Sequence, residues 1–274
     1  MPTIRLVATD IDGTLADPTS QITGRTLCVL HALHAQDIEI ALVTGLNPWV
    51  ARRYADAIAP WARAVCLNGI FTLNHSRPVP GMYIDPQIAR TTATLMRELG
   101  YTPLVFGDDL ISRYLPGDPE SVVEIGKLVV ERPFQPYSGV GTLDELFSVP
   151  PAQVSICDRG DRAARLYPIL DEALGDDAYI VLQPGQRGWV EVSHPEARKD
   201  LGLLALAGKL GIAPDEILYF GDSLNDLPVF ERLPYSVAMA NARPEIRGLA
   251  WRITASNAED GVARFLADHF GLHW

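Results

Sequence analysis

Two aspartates, Asp10 and Asp12, stand two positions apart in ATDIDGTLAD (residues 8–17), just after an apolar run and just before Gly13-Thr14. In extended backbone, side chains at i and i+2 lean to the same side. Two carboxylates held close repel unless a cation lies between them or one keeps a proton. Either solution suits catalysis: Mg²⁺ takes carboxylate and backbone oxygens, and a carboxylic acid can protonate a leaving group. The structural alternative is an Asx turn with helix capping, which one aspartate would satisfy.

A second acidic group lies in GDSLND (221–226), where Asn225 and Asp226 follow Asp222 by three and four residues. That spacing lets both point back towards Asp222 across one helical turn. Helix-start chemistry explains one aspartate readily, but two aspartates and an asparagine poorly. Lys199 precedes the helical pattern DLGLLALAGKL, an end where the macrodipole mildly disfavours a cation. A solvated lysine and a lysine facing an anion are equally good readings of it alone. Thr44 ends IEIALVT and is followed by Gly45. A hydroxyl and backbone N–H groups in such a loop can hold a phosphate oxygen, although Thr-Gly after a strand is usually just a turn.

Something must bring these groups together, and the hydrophobic pattern supplies it. Apolar runs at 4–9, 38–44, 62–68 and 216–222 read as buried strands, with helices at 23–37 and 48–60 between the first three. Alternating strands and helices imply right-handed crossovers and a mainly parallel sheet. Ligands collect beyond the carboxyl ends of such strands, where all four polar clusters fall. From residue 69 the rhythm breaks. A hairpin is expected at 69–81, a helix at 85–100, two strands within 102–115, a strand at 152–158, a helix at 160–174 and strands at 178–183 and 187–193; 117–123 and 131–141 read as loop. The βα rhythm returns with a helix at 200–210 and a further helix at 224–233. The expected organisation is an α/β core in two segments, 1–83 and 188–274, interrupted by an α+β module at 84–187.

The order DIDGTL, TG, a lone lysine before a helix, and GDSLND resembles the haloacid dehalogenase-like (HAD) hydrolase superfamily. CLNGI (66–70) and the tail 239–268 resemble its Cof-type, sugar-phosphatase-like subfamily, which carries a large α+β cap. The resemblance implies a Rossmann-like parallel-sheet core with an inserted cap domain. It also implies a Mg²⁺-dependent phosphatase for a small phosphorylated metabolite, a sugar phosphate above all. By that resemblance Asp10 attacks phosphorus and forms an aspartyl-phosphate, and Asp12 protonates the leaving alkoxide and then activates water. Thr44, Gly45 and Lys199 bind phosphoryl oxygens. The Asp10 carboxylate, the Asp12 backbone carbonyl and Asp222 hold Mg²⁺. Asn225 and Asp226 orient the lysine, the phosphate or metal-bound waters. An acid at Asp12 serves an oxygen leaving group and would be unnecessary for halide. Two departures stand out: Leu46 occupies the place of an arginine common in the family, and Asp200 replaces a glycine after the lysine, where a second carboxylate could weaken the positive field.

The 274 residues are 47% hydrophobic and carry a formal charge of -11, which argues against a broad nucleic-acid surface. Cys28, Cys66 and Cys157 are widely spaced without a C-x-x-C pair, as expected for free thiols in a reducing compartment. No signal-like or membrane-length apolar segment is seen, so a cytoplasmic location is expected. Asp108 and Asp109 read as a turn, His194 as a loop residue, Arg113, Arg159 and Arg187 as solvated, and Trp189 and Phe106 as packed. Oligomeric state is open between monomer and weak dimer. The alternatives are a phosphatase for a phosphorylated cofactor or a mannosyl-phosphoglycerate-like sugar acid, a phosphomutase, and a non-catalytic phospho-ligand sensor.

Overall fold

A computed structural model describes residues 3–74, 77–79, 82–117, 119–183 and 185–272. The chain divides into two compact units, residues 1–81 with 198–274, and residues 82–197.

The first unit begins with β1 (Leu6–Thr9), α1 (Gly24–His34), β2 (Glu39–Val43), α2 (Pro48–Ile58) and β3 (Arg63–Cys66), then β4 (Phe71–Asn74) and β5 (Arg77–Val79). In the second unit come α3 (Pro86–Glu98), β6 (Leu104–Gly107), β7 (Ser112–Tyr114), α4 (Pro119–Glu131), β8 (Tyr137–Gly139), α5 (Leu143–Leu146), β9 (Pro151–Arg159), α6 (Gly160–Leu174), β10 (Tyr179–Gln183) and β11 (Arg187–Ser193). The first unit resumes with α7 (Lys199–Lys209), β12 (Ile217–Gly221), α8 (Leu227–Arg232), β13 (Ser236–Ala238), α9 (Pro244–Leu249), β14 (Arg252–Ile253) and α10 (Gly261–Phe270). Among the described residues, no helix is long and apolar enough to cross a membrane.

The first unit holds an eight-stranded sheet in the order β14-β13-β12-β1-β2-β3-β4-β5. It is parallel from β14 to β3 and closes with the antiparallel β3-β4-β5 hairpins. The expected 69–81 hairpin is present in its strands; residues 75–76 and 80–81 lie outside the described residues. Central strands buried on both faces read as continuous apolar runs, and the side chains of Leu6–Ala8, Ile40–Val43 and Ile217–Phe220 are fully buried. The register sets Thr9 opposite both Phe220 of β12 and Leu42 of β2, so the three strands end on one rim.

The second unit is α+β, with a six-stranded sheet ordered β10-β11-β9-β6-β7-β8, antiparallel except between β7 and β8. Val154, Ile156, Val190 and Val192 share a core with Ala89, Ala93 and Met96 of α3 and Leu166 and Leu170 of α6. Its second boundary falls after Ala197 rather than at 187. The reason is that β11 pairs along its whole length with β9 and its last five residues, Trp189–Ser193, also pair with β10, so 188–193 cannot be separated from this sheet.

Two expected elements differ. α4 runs through a stretch read partly as loop: its valines favour strands, but Ser121, Ile125 and Leu128 recur at helical spacing and are the buried face. The helix expected at 224–233 is instead a 3₁₀ turn, Leu224–Asp226, followed by α8. Asp226 folds back onto the N–H groups of Asp222 and Ser223, and Pro228 sits where only a helix start tolerates it.

Candidate active site

Asp10 extends β1 by one residue, its N–H donating to the Phe220 carbonyl at 2.9 Å. Its side chain is buried and accepts a hydrogen bond at Oδ1 from Lys199 Nζ at 2.7 Å. Lys199 opens α7, and its fully buried ammonium also donates to Asp226 Oδ1 at 2.7 Å. A lysine is almost never this buried unless paired. Burial alone would lower its pKa, but Asp10 and Asp226 overcome that and hold it above the usual lysine range. The solvated reading of Lys199 is therefore excluded.

All four acceptor positions of Asp226 are used. Oδ1 takes Lys199 and the Tyr219 hydroxyl, the latter at 2.6 Å, and Oδ2 takes the N–H groups of Asp222 and Ser223 at 2.9 Å each. A carboxylate offers about four lone-pair sites, so Asp226 orients its neighbours and has nothing left for a ligand. Burial, then the Asp226 charge, raises the Tyr219 hydroxyl well above its ordinary pKa, so it stays a donor.

Asp222 follows β12 and faces the turn after β1. Thr14 Oγ1 donates to its Oδ1 at 3.0 Å. Gly13, at φ +78°, passes so close that a Cβ there would lie 2.4 Å from Asp222 Oδ2. Only glycine fits that conformation and that contact. Oxygens of Asp10, Asp222 and Asp226 lie within 4.8 Å of one another. Burial pushes the Asp10 carboxyl well above the usual range; Lys199 opposes this, and Asp226 and Asp222 add to it. Burial, with Asp226 and Asp12, raises Asp222 to about 6 against Thr14 and Lys199. Three carboxylates against one ammonium leave two negative charges when all are ionised, the charge a divalent cation would balance.

The expected crowding of Asp10 against Asp12 is not what forms this cluster. Ile11 turns into the core, Asp10 is buried and Asp12 is exposed, acting on Asp222 instead. β1 ends at Thr9; Asp10 and Asp12 keep extended dihedrals, but Gly13 follows at φ 78°, so no strand continues through the pair.

Thr44 is buried at the end of β2, next to β1, and Gly45 is buried beside it. Thr44 Oγ1 accepts from Leu46 N–H at 3.1 Å, tightening the loop. Asn225 does not point to Asp222: its Nδ2 donates to Asn68 Oδ1 at 3.1 Å. Asp200 does not oppose the positive field unaided. Its fully buried side chain is paired with Arg198 at 3.0 Å and Arg232 at 3.2 Å, which offset its charge.

The chain matches the haloacid dehalogenase-like hydrolase model over residues 7–266. It belongs to that family. A Haemophilus influenzae protein whose name assigns it provisionally to the phosphatases is 25% identical over 267 residues, 97% of this chain and 98% of its own. The HMP-PP phosphatase of Enterobacter sp. (strain 638) is 29% identical over 249 residues, 88% of this chain and 86% of its own. A solved sugar phosphatase of HAD subclass IIB shares the fold, with a TM-score of 0.78 at 20% identity, covering 98% of this chain and 100% of that one. The chain is thus a haloacid dehalogenase-like hydrolase, and these curated relatives carry phosphatase names.

Remaining candidates have structural partners. Asp109 pairs with Arg113 in its turn, Arg159 with Asp161, and Arg187 with Glu124 and Glu131. His194 Nδ1 accepts from Glu196 N–H, and Phe106 is buried. Sequence reasoning missed Tyr219 and Asn68. Tyr219 sits at the buried phase of an apolar strand, where nothing marks its hydroxyl. Asn68 lies in CLNGI, where Asn-Gly after a strand signals a turn with a left-handed residue.

Proposed function

We propose that this hydrolase is a Mg²⁺-dependent phosphatase that hydrolyses a small metabolite phosphomonoester, a sugar phosphate being the leading class, through an aspartyl-phosphate at Asp10. The observation that carries the reading is the buried Lys199 ammonium, held between Asp10 and Asp226 beside Asp222 at the carboxyl rim of β1 and β12. A purely structural ion pair would need no third carboxylate and no glycine pressed against it.

The donor set fits a divalent cation: hard oxygens, excess negative charge, and Asp226 already saturated. Asp10, Asp222 and the Asp12 backbone carbonyl would hold Mg²⁺, which when bound offsets the charge of an incoming phosphate. Lys199 fixes the rotation of the Asp10 carboxylate and presents positive charge to the phosphoryl oxygens. A carboxylate oxygen of Asp10 attacks phosphorus as the bond to the leaving alkoxide breaks, and Asp12 gives that alkoxide a proton. Asp12 then takes a proton from water, whose oxygen attacks the same phosphorus. The acyl-phosphate bond breaks, inorganic phosphate leaves and Asp10 is regenerated. The exposure of Asp12 suits a group that must meet both leaving group and water. Thr44, Gly45 and Asn225 bind phosphoryl oxygens, and Asp226 holds Lys199.

The names of the HMP-PP phosphatase relative and of the sugar phosphatase with the same fold favour a small metabolite. Charge and free cysteines favour a cytoplasmic enzyme without nucleic-acid partners. The test is hydrolysis of para-nitrophenyl phosphate with Mg²⁺. Turnover should vanish with chelator and in Asp10→Asn, and a panel of phosphorylated metabolites ranked by kcat/KM should favour sugar phosphates. Tight phosphate-ester binding without turnover would overturn the reading in favour of a sensor.

A further inference from the structure

Resting on that reading, we infer that the turn Leu67–Gly69 is the common mount for the phosphate-binding groups, with Asn68 a positioning residue that acts through Asn225. Three separate contacts meet at this turn. Leu67 N–H donates to the Leu46 carbonyl and Asn68 N–H to the Thr44 carbonyl, both at 3.0 Å, which clamps the Thr44–Leu46 loop from both ends. Asn68 Oδ1 accepts from Asn225 Nδ2 at 3.1 Å, tying in the loop after β12. Gly69 and Gly202 touch: a Cβ on Gly202 would lie 2.6 Å from Gly69 Cα, and one on Gly69 would lie 2.6 Å from the Arg198 carbonyl oxygen. The turn thereby seats the first turn of α7, which carries Lys199.

The backbone shows what this arrangement requires. Leu67 and Asn68 are consecutive non-glycine residues with positive φ, at 48° and 53°, and Gly69 follows at 119°. Leucine has no local reason to adopt that conformation, and Asn68 is 2% exposed. Strain of this kind persists only where surrounding contacts over-determine it, and it clusters at functional sites. Asparagine tolerates the left-handed region, and its amide oxygen is the acceptor that faces Asn225. The arrangement also accounts for the loss of the family's arginine at position 46: the loop is located through main-chain hydrogen bonds, which any side chain at 46 permits.

Two variants separate positioning from stability. Asn68→Gly keeps the turn, because glycine accepts positive φ, and should melt above Asn68→Ala although both lose the hydrogen bond to Asn225. Asn68→Ala must hold a strained φ and should melt lower. Both lose Oδ1, so both should raise the KM for para-nitrophenyl phosphate and the inhibition constant of inorganic phosphate alike, by about five-fold, with kcat changing less. Asn225→Ala, which also loses its own phosphate contact, should cost at least as much, and adding Asn68→Gly to it should cause no further loss. The inference is overturned if the affinity loss tracks melting temperature across the two variants. It is equally overturned if phosphate affinity is unchanged, or if the Asn68 and Asn225 effects multiply. Calorimetric binding of inorganic phosphate gives the same comparison without turnover. A parent that binds phosphate but does not hydrolyse refutes the catalytic reading alone, whereas an active parent with unaltered variants refutes the mount alone.

Discussion

Lys199→Met is the most informative single perturbation, because methionine preserves length and apolar stem while deleting the charge. The parent ammonium makes two 2.7 Å contacts to carboxylates that are themselves buried. Removing it leaves Asp10 and Asp226 facing each other with Asp222 nearby, in a site where burial already disfavours charge. Deleting one partner of a buried pair costs about 3–5 kcal/mol, which for a chain of this size lowers Tm by about 10 °C. Loss of positive charge at the phosphoryl group should cut kcat/KM by about 10³ or more. The pH response has a definite sign. In the variant the acids bind protons more tightly folded than unfolded, so its stability rises as pH falls from the raised carboxyl pKa values towards the ordinary value near 3.8. The deficit against the parent should therefore be largest at high pH and narrow as pH falls towards 3.8. Thermal melts across pH with parallel para-nitrophenyl phosphate kinetics measure both. A variant that melts with the parent at pH 7.5 and retains kcat within three-fold, as an order of magnitude for surface changes, would refute the whole electrostatic account of the site.

Other outcomes follow from the same geometry. Asp222 is raised to about 6, so between its ordinary 3.8 and about 6 the folded protein holds a proton that the proposed Mg²⁺ would have to displace. The Mg²⁺-induced rise in Tm should be full above pH 7 and shrink as pH falls through 6. Gly13→Ala forces a Cβ against Asp222 at positive φ and should weaken Mg²⁺ binding measured calorimetrically, with little change in the sheet's circular dichroism. Asp200→Asn leaves Arg198 and Arg232 with a neutral, buried partner; it should lower stability by about 2–4 kcal/mol while KM for a phosphate ester stays near the parent value. Tyr219→Phe removes one of four donors to Asp226 and should cost about 1–2 kcal/mol in urea melts.

Strand-based features were the legible part of this chain. Parallel strands buried on both faces must be continuous apolar runs, so β1, β2, β3 and β12 announce themselves, and the polar residues singled out from the sequence follow β1, β2 and β12. The less legible parts are those where a long-range partner decides. α4 has the valines of a strand and a central Gly126, yet its Ser121 donates to the buried Asp158 and its Ile125 and Leu128 are buried. The end of the second unit could not be placed from local pattern either, because β11 is assigned by its pairing to β9.

The acidic groups show most clearly what spacing can and cannot convey. Asp10 and Asp12 are close in sequence but differ in burial: Asp10 is buried, Asp12 is exposed, and Ile11 between them packs in the core. Asp226 lies 216 positions from Asp10 and shares a lysine with it. A motif written as neighbouring residues thus encodes two different environments: a buried carboxylate locked by the Lys199 ammonium, and an exposed one. That difference suits the two roles proposed for them, since an attacking oxygen needs fixed orientation and a proton carrier needs access. The same reasoning explains why Asp200 is tolerated beside Lys199. Its charge is answered by Arg198 and Arg232, which leaves Lys199 to set the field at the proposed phosphate site, and exchanging those arginines for neutral residues should raise the phosphate inhibition constant where Asp200→Asn does not.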